Sequence, residues 1–171
     1  MEGQIRRNEI LAHLQVADKP VSASRLAKKY GVSRQIIVGD VALLRAGGAD
    51  IQATARGYQL AQTLSGFVGK IVCQHDAAMT RQELLMIVAG GGEIIDVIVE
   101  HPLYGELVGG LHIQTPTEVA DFVTAYEKSQ ASLLSALTEG IHMHTIRCQD
   151  QTTFENIKTA LAEAGILYQN N

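Results

Sequence analysis

The chain contains 171 residues, which is enough for one large domain or two small ones. Hydrophobic residues make up 46 % of the chain, so we expect a packed core and no global disorder. Two cysteines are too few for a disulfide scaffold, and no apolar run has the length of a membrane span or the form of a signal peptide. We therefore expect a cytoplasmic protein that does not associate with membranes.

The net charge of −4 is distributed unevenly along the chain. Residues 1–64 contain nine Lys and Arg against five Asp and Glu, whereas residues 65–171 contain five against thirteen. A basic segment joined to an acidic segment indicates that the first contacts a polyanion and the second does not. We therefore predict two domains, over residues 1–64 and 65–171.

The elements predicted for residues 1–64 follow the order of a winged helix-turn-helix. Apolar residues at helical spacing predict a first helix over about residues 3–16. A second, short helix ends at Gly31, and Ser33 is a suitable N-cap for a third helix that runs to about Ala46. Two short alternating strands on either side of residues 55–57 then predict a wing. Two helices around a glycine-containing turn, followed by a wing, indicate a DNA-binding domain.

In this motif the third helix enters the major groove, with its N-terminal residues against the base edges. Arg34 and Gln35 are the predicted base readers, because Arg suits guanine and Gln suits adenine, and Val38 is placed to meet a thymine methyl group. Lys29 adds a positive charge for the phosphates. The predicted DNA contacts are Arg25, Lys28, Ser33, Arg34, Gln35, Val38 and Arg56. The alternative is that the motif contacts another protein and that its basic residues are ordinary solvated surface.

Residues 65–171 predict the element order β-α-β-β-α-β followed by a last helix that ends at Gly165. This order is that of the split βαβ, or ferredoxin-like, arrangement, so the predicted fold class is α+β. Residues 80–83 and 115–118 have the pattern of capping boxes that open two of the helices. The segment contains no phosphate-binding loop, dinucleotide fingerprint or nucleophile elbow.

The histidines of this segment are the candidates for chemistry. His142 and His144 are two residues apart on a predicted strand, so their side chains leave the same face. The first and last strands of such a sheet pair antiparallel, which brings His75, at the end of the first strand, next to them. Glu83, one turn into the following helix, completes a set that is able to bind a cation and leave one position open.

The same residues have plainer explanations. Glu83 would be the last member of a capping box, and the histidines would be surface or strand-end residues. Cys73 and Cys148 lie on the same strand faces as His75 and His144, where they would either supplement the site or fill the core.

Three segments, residues 33–45, 101–105 and 140–146, resemble the niacin-responsive repressors, which combine a winged helix with a three-histidine (3H) domain. The resemblance implies a repressor of genes for NAD synthesis and niacin uptake, with nicotinic acid as co-repressor. It also implies a homodimer on a palindromic operator in double-stranded DNA. The metal-ligand pattern of the family maps onto His75, Glu83, His142 and His144, which implies one divalent transition metal per chain (Zn, Ni, Fe or Mn). Gly39 departs from the polar residue expected in the third helix.

Nicotinate offers a pyridine nitrogen and a carboxylate, and either group suits an open metal position. His101, Tyr104 or Arg147 is predicted to hold the other end of the ligand, although strand alternation places Arg147 on the face opposite His144. One alternative is a regulator for which the cation itself is the signal. Another is a metal-dependent hydrolase, but with Glu83 used as a ligand no general base remains, so we predict that the chain is not an enzyme.

Overall fold

The computed structural model describes residues 2–62, 65–129 and 131–169. The chain divides into two compact units, Met1–Thr63 and Leu64–Asn171, which are described one at a time. The predicted domain boundary after residue 64 falls next to this division, and residues 63 and 64 themselves lie outside the described residues. None of the helices in the described ranges combines the length and apolar character that crossing a bilayer requires.

The first unit consists of three helices and a two-stranded antiparallel sheet, which confirms the predicted winged helix-turn-helix. Serine side chains cap two of the helices: Ser22 Oγ accepts from the Arg25 N–H at 3.1 Å, and Ser33 Oγ accepts from the Ile36 N–H at 3.2 Å. Gly31 ends the second helix with φ 66°, in the left-handed region that favours glycine. The elements are α1 (Gly3–Gln15), α2 (Ala23–Tyr30), α3 (Arg34–Ala46), β1 (Ile51–Thr54) and β2 (Gly57–Leu60).

A small core holds these elements together. Ile10 of α1, Leu26 of α2 and Ile37 of α3 are completely buried against one another and against Ile51 of the wing. This core leaves the opposite side of α3 free to face outward, because a helix buries only one stripe of its surface.

The second unit has the predicted β-α-β-β-α-β order with an additional C-terminal helix. Two short 3₁₀ helices, Ala77–Met79 and Leu134–Thr138, interrupt the connections. The main elements are β3 (Phe67–Gln74), α4 (Thr80–Ala89), β4 (Glu93–His101), β5 (Gly105–Ile113), α5 (Pro116–Lys128), β6 (Ile141–Cys148) and α6 (Gln151–Glu163).

The sheet of the second unit is antiparallel throughout, in the order β3-β6-β4-β5. The first and last strands pair along their whole length, from Phe67↔Cys148 to Gln74↔Ile141, as predicted. The split βαβ pattern is present because β6 lies between the parallel strands β3 and β4. The structure refines one detail of the strand order. The two central strands are β4 and β6, which are the second and the last strand of this unit along the chain. A ferredoxin-like sheet instead has its first and third strands at the centre. Element order alone does not distinguish these two arrangements, because both of them pair the first strand with the last.

The three helices pack on one face of this sheet. Leu84 and Ile87 of α4 and Ile157 of α6 are buried against Ile146 of β6. Along β6 every second residue is buried, beginning with His142 and His144. The two histidines therefore point to the helix-covered face.

Candidate metal centre and nucleic-acid interface

The four side chains of the predicted metal site come together under the helices of the second unit. His142 Nε2 lies 3.0 and 3.2 Å from the two oxygens of Glu83, and His144 Nε2 lies 2.7 Å from Oε1. His75 Nε2 contacts Oε2 of the same carboxylate. None of the four side chains is more than 4 % exposed. We call His75, Glu83, His142 and His144 the histidine–glutamate cluster.

Strand pairing explains the position of the three rings. Cys73 pairs with His142 across β3 and β6, so His75, which follows β3, lies beyond the paired region next to Gly140. A Cβ atom on Gly140 would lie 2.4 Å from the carbonyl oxygen of His75, and its φ is 87°, so only glycine fits there. The ring centroids of His75 and His142, and of His142 and His144, are 4.8 Å apart.

Main-chain carbonyl groups fix the orientation of all three rings. The Nδ1 atoms of His75, His142 and His144 lie 2.7, 2.8 and 2.7 Å from the carbonyl oxygens of Asp76, Gly140 and Asp96, respectively. A carbonyl oxygen only accepts, so each Nδ1 carries the hydrogen and each neutral ring directs the lone pair of Nε2 toward Glu83. Three lone pairs and a carboxylate facing one another require a cation or protons between them. This is also the hydrogen-bond pattern that orients histidines in metal sites.

Glu83 is ionised in this environment. Burial alone would raise its pKa, but the charge of His144 and the hydrogen bonds from the three imidazoles hold the pKa of Glu83 well below its usual range. Burial lowers the pKa of His75 and of His144, yet the hydrogen bond and charge of Glu83 outweigh it and raise both pKa values. Without a metal, protons on His75 and His144 therefore neutralise the carboxylate.

The cluster fits a divalent transition metal. Imidazole nitrogen and carboxylate oxygen are ligands for Zn, Ni, Fe and Mn. Neighbouring ligands on an ion about 2.0–2.2 Å away are separated by about 3 Å, which agrees with the spacing of 2.7–3.2 Å between Glu83 and the Nε2 atoms of His142 and His144. A bound ion would supply a Lewis-acid position for one further ligand.

Cys73 is the additional residue at this site. Its Sγ lies within 4.8 Å of ligand atoms of Glu83 and His142, and the residue is completely buried. Burial, together with the neighbouring Glu83, raises the pKa of the thiol, so Cys73 is a neutral group in the metal-free protein. Cys148 is also buried and belongs to the core under α6.

A small cavity of about 40 Å³ opens directly against the cluster, and we call it the inner cavity. Thr80 and Ser135 are its other polar residues. Its wall opposite the cluster is apolar and consists of Leu84, Val97, Leu111, Phe122, Leu133 and Leu134. The arrangement offers one coordinating end and one apolar side to a small ligand.

The prediction that residues 80–83 form a capping box is wrong. The chain enters α4 through the 3₁₀ helix Ala77–Met79, whose cap is Asp76, with Oδ1 accepting from the Ala78 N–H at 3.1 Å. The Thr80 hydroxyl caps nothing, and the Glu83 carboxylate points to the histidines. The alternative explanation of Glu83 as a capping residue is thereby removed.

The three predicted ligand-holding residues are not among the described residues that line the inner cavity. His101 Nδ1 accepts from the N–H groups of Leu103 and Tyr104, at 3.1 and 3.2 Å, and so shapes the turn between β4 and β5. Tyr104 is 69 % exposed at that turn. Arg147 lies on the other face of β6 and pairs with Glu93 on β4, as strand alternation had indicated.

The predicted DNA-contacting residues lie on the surface of the first unit. Arg34 and Gln35 are exposed at the start of α3, and Val38 is half-buried one turn later. Ser33 is exposed while its oxygen caps α3. Arg25 and Lys28 are exposed on α2, and Arg56 is half-buried in the wing.

Lys29 is exposed as well and donates to Nδ1 of His13 at 2.9 Å. Burial, with Lys29 and Arg25 nearby, lowers the pKa of His13. The ring is therefore a neutral acceptor that fixes the ammonium group of Lys29 between α1 and α2.

One polar residue of this unit was missed from the sequence. Asp40 of α3 is 4 % exposed, and its oxygens accept from Arg6 Nε at 2.6 Å and from Arg7 at 3.4 Å. This contact ties α1 to α3 and so fixes the orientation of the helix that carries Arg34 and Gln35. The sequence offered one signal for this role: Asp40 is the single carboxylate in the predicted third helix, within a basic segment.

Comparisons with known proteins agree with both units. Residues 6–59 match an HTH domain, and residues 68–170 match the 3H domain. The chain is 41 % identical over 166 residues to the probable transcription repressor NiaR of Thermotoga maritima, and the matched region covers 97 % of this chain and 95 % of that protein. It is 38 % identical over 172 residues to the transcription repressor NadR of Bacillus subtilis strain 168, and the matched region covers 98 % of this chain and 96 % of that protein. The chain therefore belongs to the family of transcription repressors that join an N-terminal HTH domain to a 3H domain, and it is a DNA-binding regulator rather than an enzyme.

Proposed function

We propose that this repressor controls genes for NAD synthesis and niacin uptake, with nicotinic acid as co-repressor bound at or near a metal ion in the second unit. The observation that carries the proposal is the histidine–glutamate cluster, in which three imidazoles anchored through Nδ1 direct Nε2 at one buried carboxylate beside a cavity. The metal ligands are His75, Glu83, His142 and His144. The site of action is the cytoplasm, where the operator DNA is.

DNA recognition is assigned to α3 and its surroundings. In this proposal Arg34 and Gln35 hydrogen-bond to base edges, and Val38 contacts a thymine methyl group. Exposed Arg25 and Lys28, with Ser33 and Arg56, contact phosphates and set the register. Two copies form a homodimer, whose α3 helices fit half-sites about one DNA turn apart.

The ligand acts by shifting the dimer between arrangements. A co-repressor favours DNA binding only if it binds the DNA-competent arrangement more tightly than the others. The buried position of the cluster supports such a role, because a ligand held there contacts β6, α4 and the segment that follows β3 together.

Operator-binding titrations of the full-length protein test the proposal. Nicotinate, nicotinamide and NAD are added separately, each with Zn²⁺ or with a chelator present. We expect nicotinate with metal to tighten operator binding, and His144→Ala to abolish this response. His112→Asn, a change at a histidine outside the cluster, is the matched control and should keep it. If the operator affinity of the metal-loaded repressor is the same with and without nicotinate, the proposal is contradicted.

One observation favours a second candidate, a regulator for which the cation is the signal. The cluster already supplies four protein ligands, and the inner cavity of about 40 Å³ is smaller than an aromatic ring requires. In that case operator binding would follow the metal concentration with no nicotinate present, which the same titration measures.

A further inference from the structure

The Thr80 hydroxyl is a polar group without a role in the fold. Its Oγ1 is buried and has no hydrogen-bond partner within the part of the chain that the structure describes. Asp76 caps the turn before α4, so the helix start makes no use of the hydroxyl. Buried hydroxyl groups are normally hydrogen-bonded, because leaving one unpaired costs folding free energy. Thr80 lines the inner cavity beside His75 and Glu83, so a molecule in that cavity is the partner available to it.

The inner cavity lies next to a larger space, with which it shares part of its lining. An outer recess of about 350 Å³ shares His75, Leu133 and Ser135 with it and is bounded further out by Tyr126 and Ala136. A cavity of about 150 Å³ holds a benzene ring, and about 10–15 Å³ is enough for one water. The inner cavity therefore accommodates a small polar head group, whereas the outer recess has room for a six-membered ring.

The two spaces differ in charge. Two acidic residues, Asp76 and Glu139, are among the residues that line the outer recess. The inner cavity offers the Thr80 hydroxyl as a donor, and its cluster is net positive once a divalent cation offsets Glu83. A ligand that carries one carboxylate on a ring is repelled by the outer carboxylates and attracted by the inner end.

We propose that Thr80 is a specificity residue for the co-repressor, donating from Oγ1 to a carboxylate that enters the inner cavity while the aromatic ring stays in the outer recess against Tyr126. This inference rests on the proposed function and adds the orientation of the ligand to it. The reverse orientation would place the carboxylate beside Asp76 and Glu139 and the neutral ring nitrogen at the cationic end. The ligand carboxylate would then be repelled by the two acidic residues. At the other end, the ring nitrogen carries no charge that the cationic cluster could attract.

Three probes distinguish the orientations by calorimetry on the metal-loaded, full-length protein. Nicotinate has both groups, benzoate has only the carboxylate, and pyridine has only the ring nitrogen. We expect benzoate to bind within about tenfold of nicotinate, and pyridine to bind at least about a hundredfold more weakly, because it lacks the charged hydrogen bond. Pyridine binding as tightly as nicotinate, with no binding of benzoate, would overturn the inference.

Two variants isolate the hydroxyl. Thr80→Val keeps the shape of the side chain and removes the donor, whereas Thr80→Ser keeps the donor. We expect Thr80→Val to raise the Kd of both nicotinate and benzoate about tenfold or more, and Thr80→Ser to stay near the wild-type value. The affinity for Zn²⁺, measured on the same samples, should be unchanged in both variants and shows that the cluster is intact.

The outcomes separate this inference from the function on which it rests. Unchanged nicotinate affinity in Thr80→Val, with normal Zn²⁺ binding, overturns the role of Thr80 and leaves the co-repressor proposal standing. Failure of nicotinate to bind the metal-loaded wild-type protein overturns both. Tight nicotinate and benzoate binding that weakens in Thr80→Val alone supports both.

Discussion

Among the residues that the structure describes, each unit of this repressor buries one carboxylate, and the partners of the two carboxylates differ in kind. Asp40, 4 % exposed, accepts from the guanidinium groups of Arg6 and Arg7. Glu83, 1 % exposed, faces three imidazoles. Guanidinium groups stay charged at any physiological pH, so the first contact is a permanent tie between two helices. Imidazoles lose their protons near neutrality and bind metals, so the second is a place for an exchangeable cation. The charge state of the partners, rather than the burial of the carboxylate, distinguishes a structural contact from a candidate site.

The largest effect that we expect comes from removing the charge of Glu83. Glu83→Gln keeps the volume of the side chain but leaves an amide among three metal-binding nitrogens. We expect the affinity for Zn²⁺, measured by calorimetry, to fall at least about a hundredfold, because even outer-shell partners of metal sites contribute 10- to 100-fold. Glu93→Gln is the matched control, a partly buried carboxylate paired with Arg147 outside the cluster, and its Zn²⁺ affinity should be that of the wild type. A similar loss in both variants would contradict a specific role of Glu83.

The corresponding change in the first unit should lower stability without affecting metal binding. Asp40→Asn removes a buried charge that two arginines contact, and we expect the free energy of unfolding to fall by about 2 kcal/mol. Urea denaturation measures the change, with and without Zn²⁺. The loss should be the same in both conditions, since the contact involves no metal ligand. A loss that disappears when Zn²⁺ is added would contradict the view of Asp40 as a permanent tie.

The dependence of stability on pH should change sign with metal. Glu83 raises the pKa of His75 and His144 in the metal-free protein, so their protonation stabilises it below their unfolded pKa of about 6.5. This contribution is lost as the pH rises through the raised pKa values that the two histidines have in the folded protein. The lowered pKa of Glu83 contributes stability above about pH 4.3, and this is lost only when the pH falls through the folded value.

With Zn²⁺ bound, stability should instead rise over the same interval above pH 6.5, because the metal requires deprotonated histidines. Thermal unfolding at several pH values, with Zn²⁺ and with chelator, gives the slope of stability against pH in each condition. Parallel slopes in the two conditions would show that protons and metal do not compete for the cluster.

The smallest expected effect concerns Gly39 on the outer surface of α3. A Cβ there would meet nothing within 4 Å, so the fold does not require glycine at this position. Gly39→Ala should therefore raise the free energy of unfolding by about 0.8–1 kcal/mol through helix propensity. If α3 lies in the major groove, the added methyl group should weaken operator binding at the same time. A footprinting titration that shows equal or tighter binding would exclude close approach of DNA at Gly39.

Local patterns predicted the elements well because caps and alternation are local properties. Gly31 and Ser33 marked the turn of the DNA-binding unit, and the His142–His144 spacing indicated a shared strand face. Antiparallel pairing of β3 with β6 then brought His75 to them, as expected. The family resemblance agreed with the same four residues.

Distant contacts that no strand pairing indicates could not be predicted. The partners of Asp40 lie more than thirty residues away on another helix, and helical periodicity does not show which residues of α1 face α3. The capping-box pattern at residues 80–83 fits an isolated helix, but Asp76 provides an earlier cap and the buried imidazoles attract Glu83. The strand order was likewise undetermined, because pairing of β3 with β6 is compatible with more than one neighbour for β4.

The anchoring of the three histidines by main-chain oxygens has a consequence for how mutations affect the site. Each Nδ1 donates to the carbonyl of Asp76, Gly140 or Asp96, and every amino acid supplies that same carbonyl group. Replacing the side chain of Asp76 or Asp96 therefore leaves the acceptor in place, as long as the backbone keeps its course. Gly140 is the exception, because its backbone conformation admits no other residue without strain. The tautomer of all three rings is thus set by the path of the chain, which makes the cluster tolerant of most neighbouring substitutions and sensitive to displacement of β6.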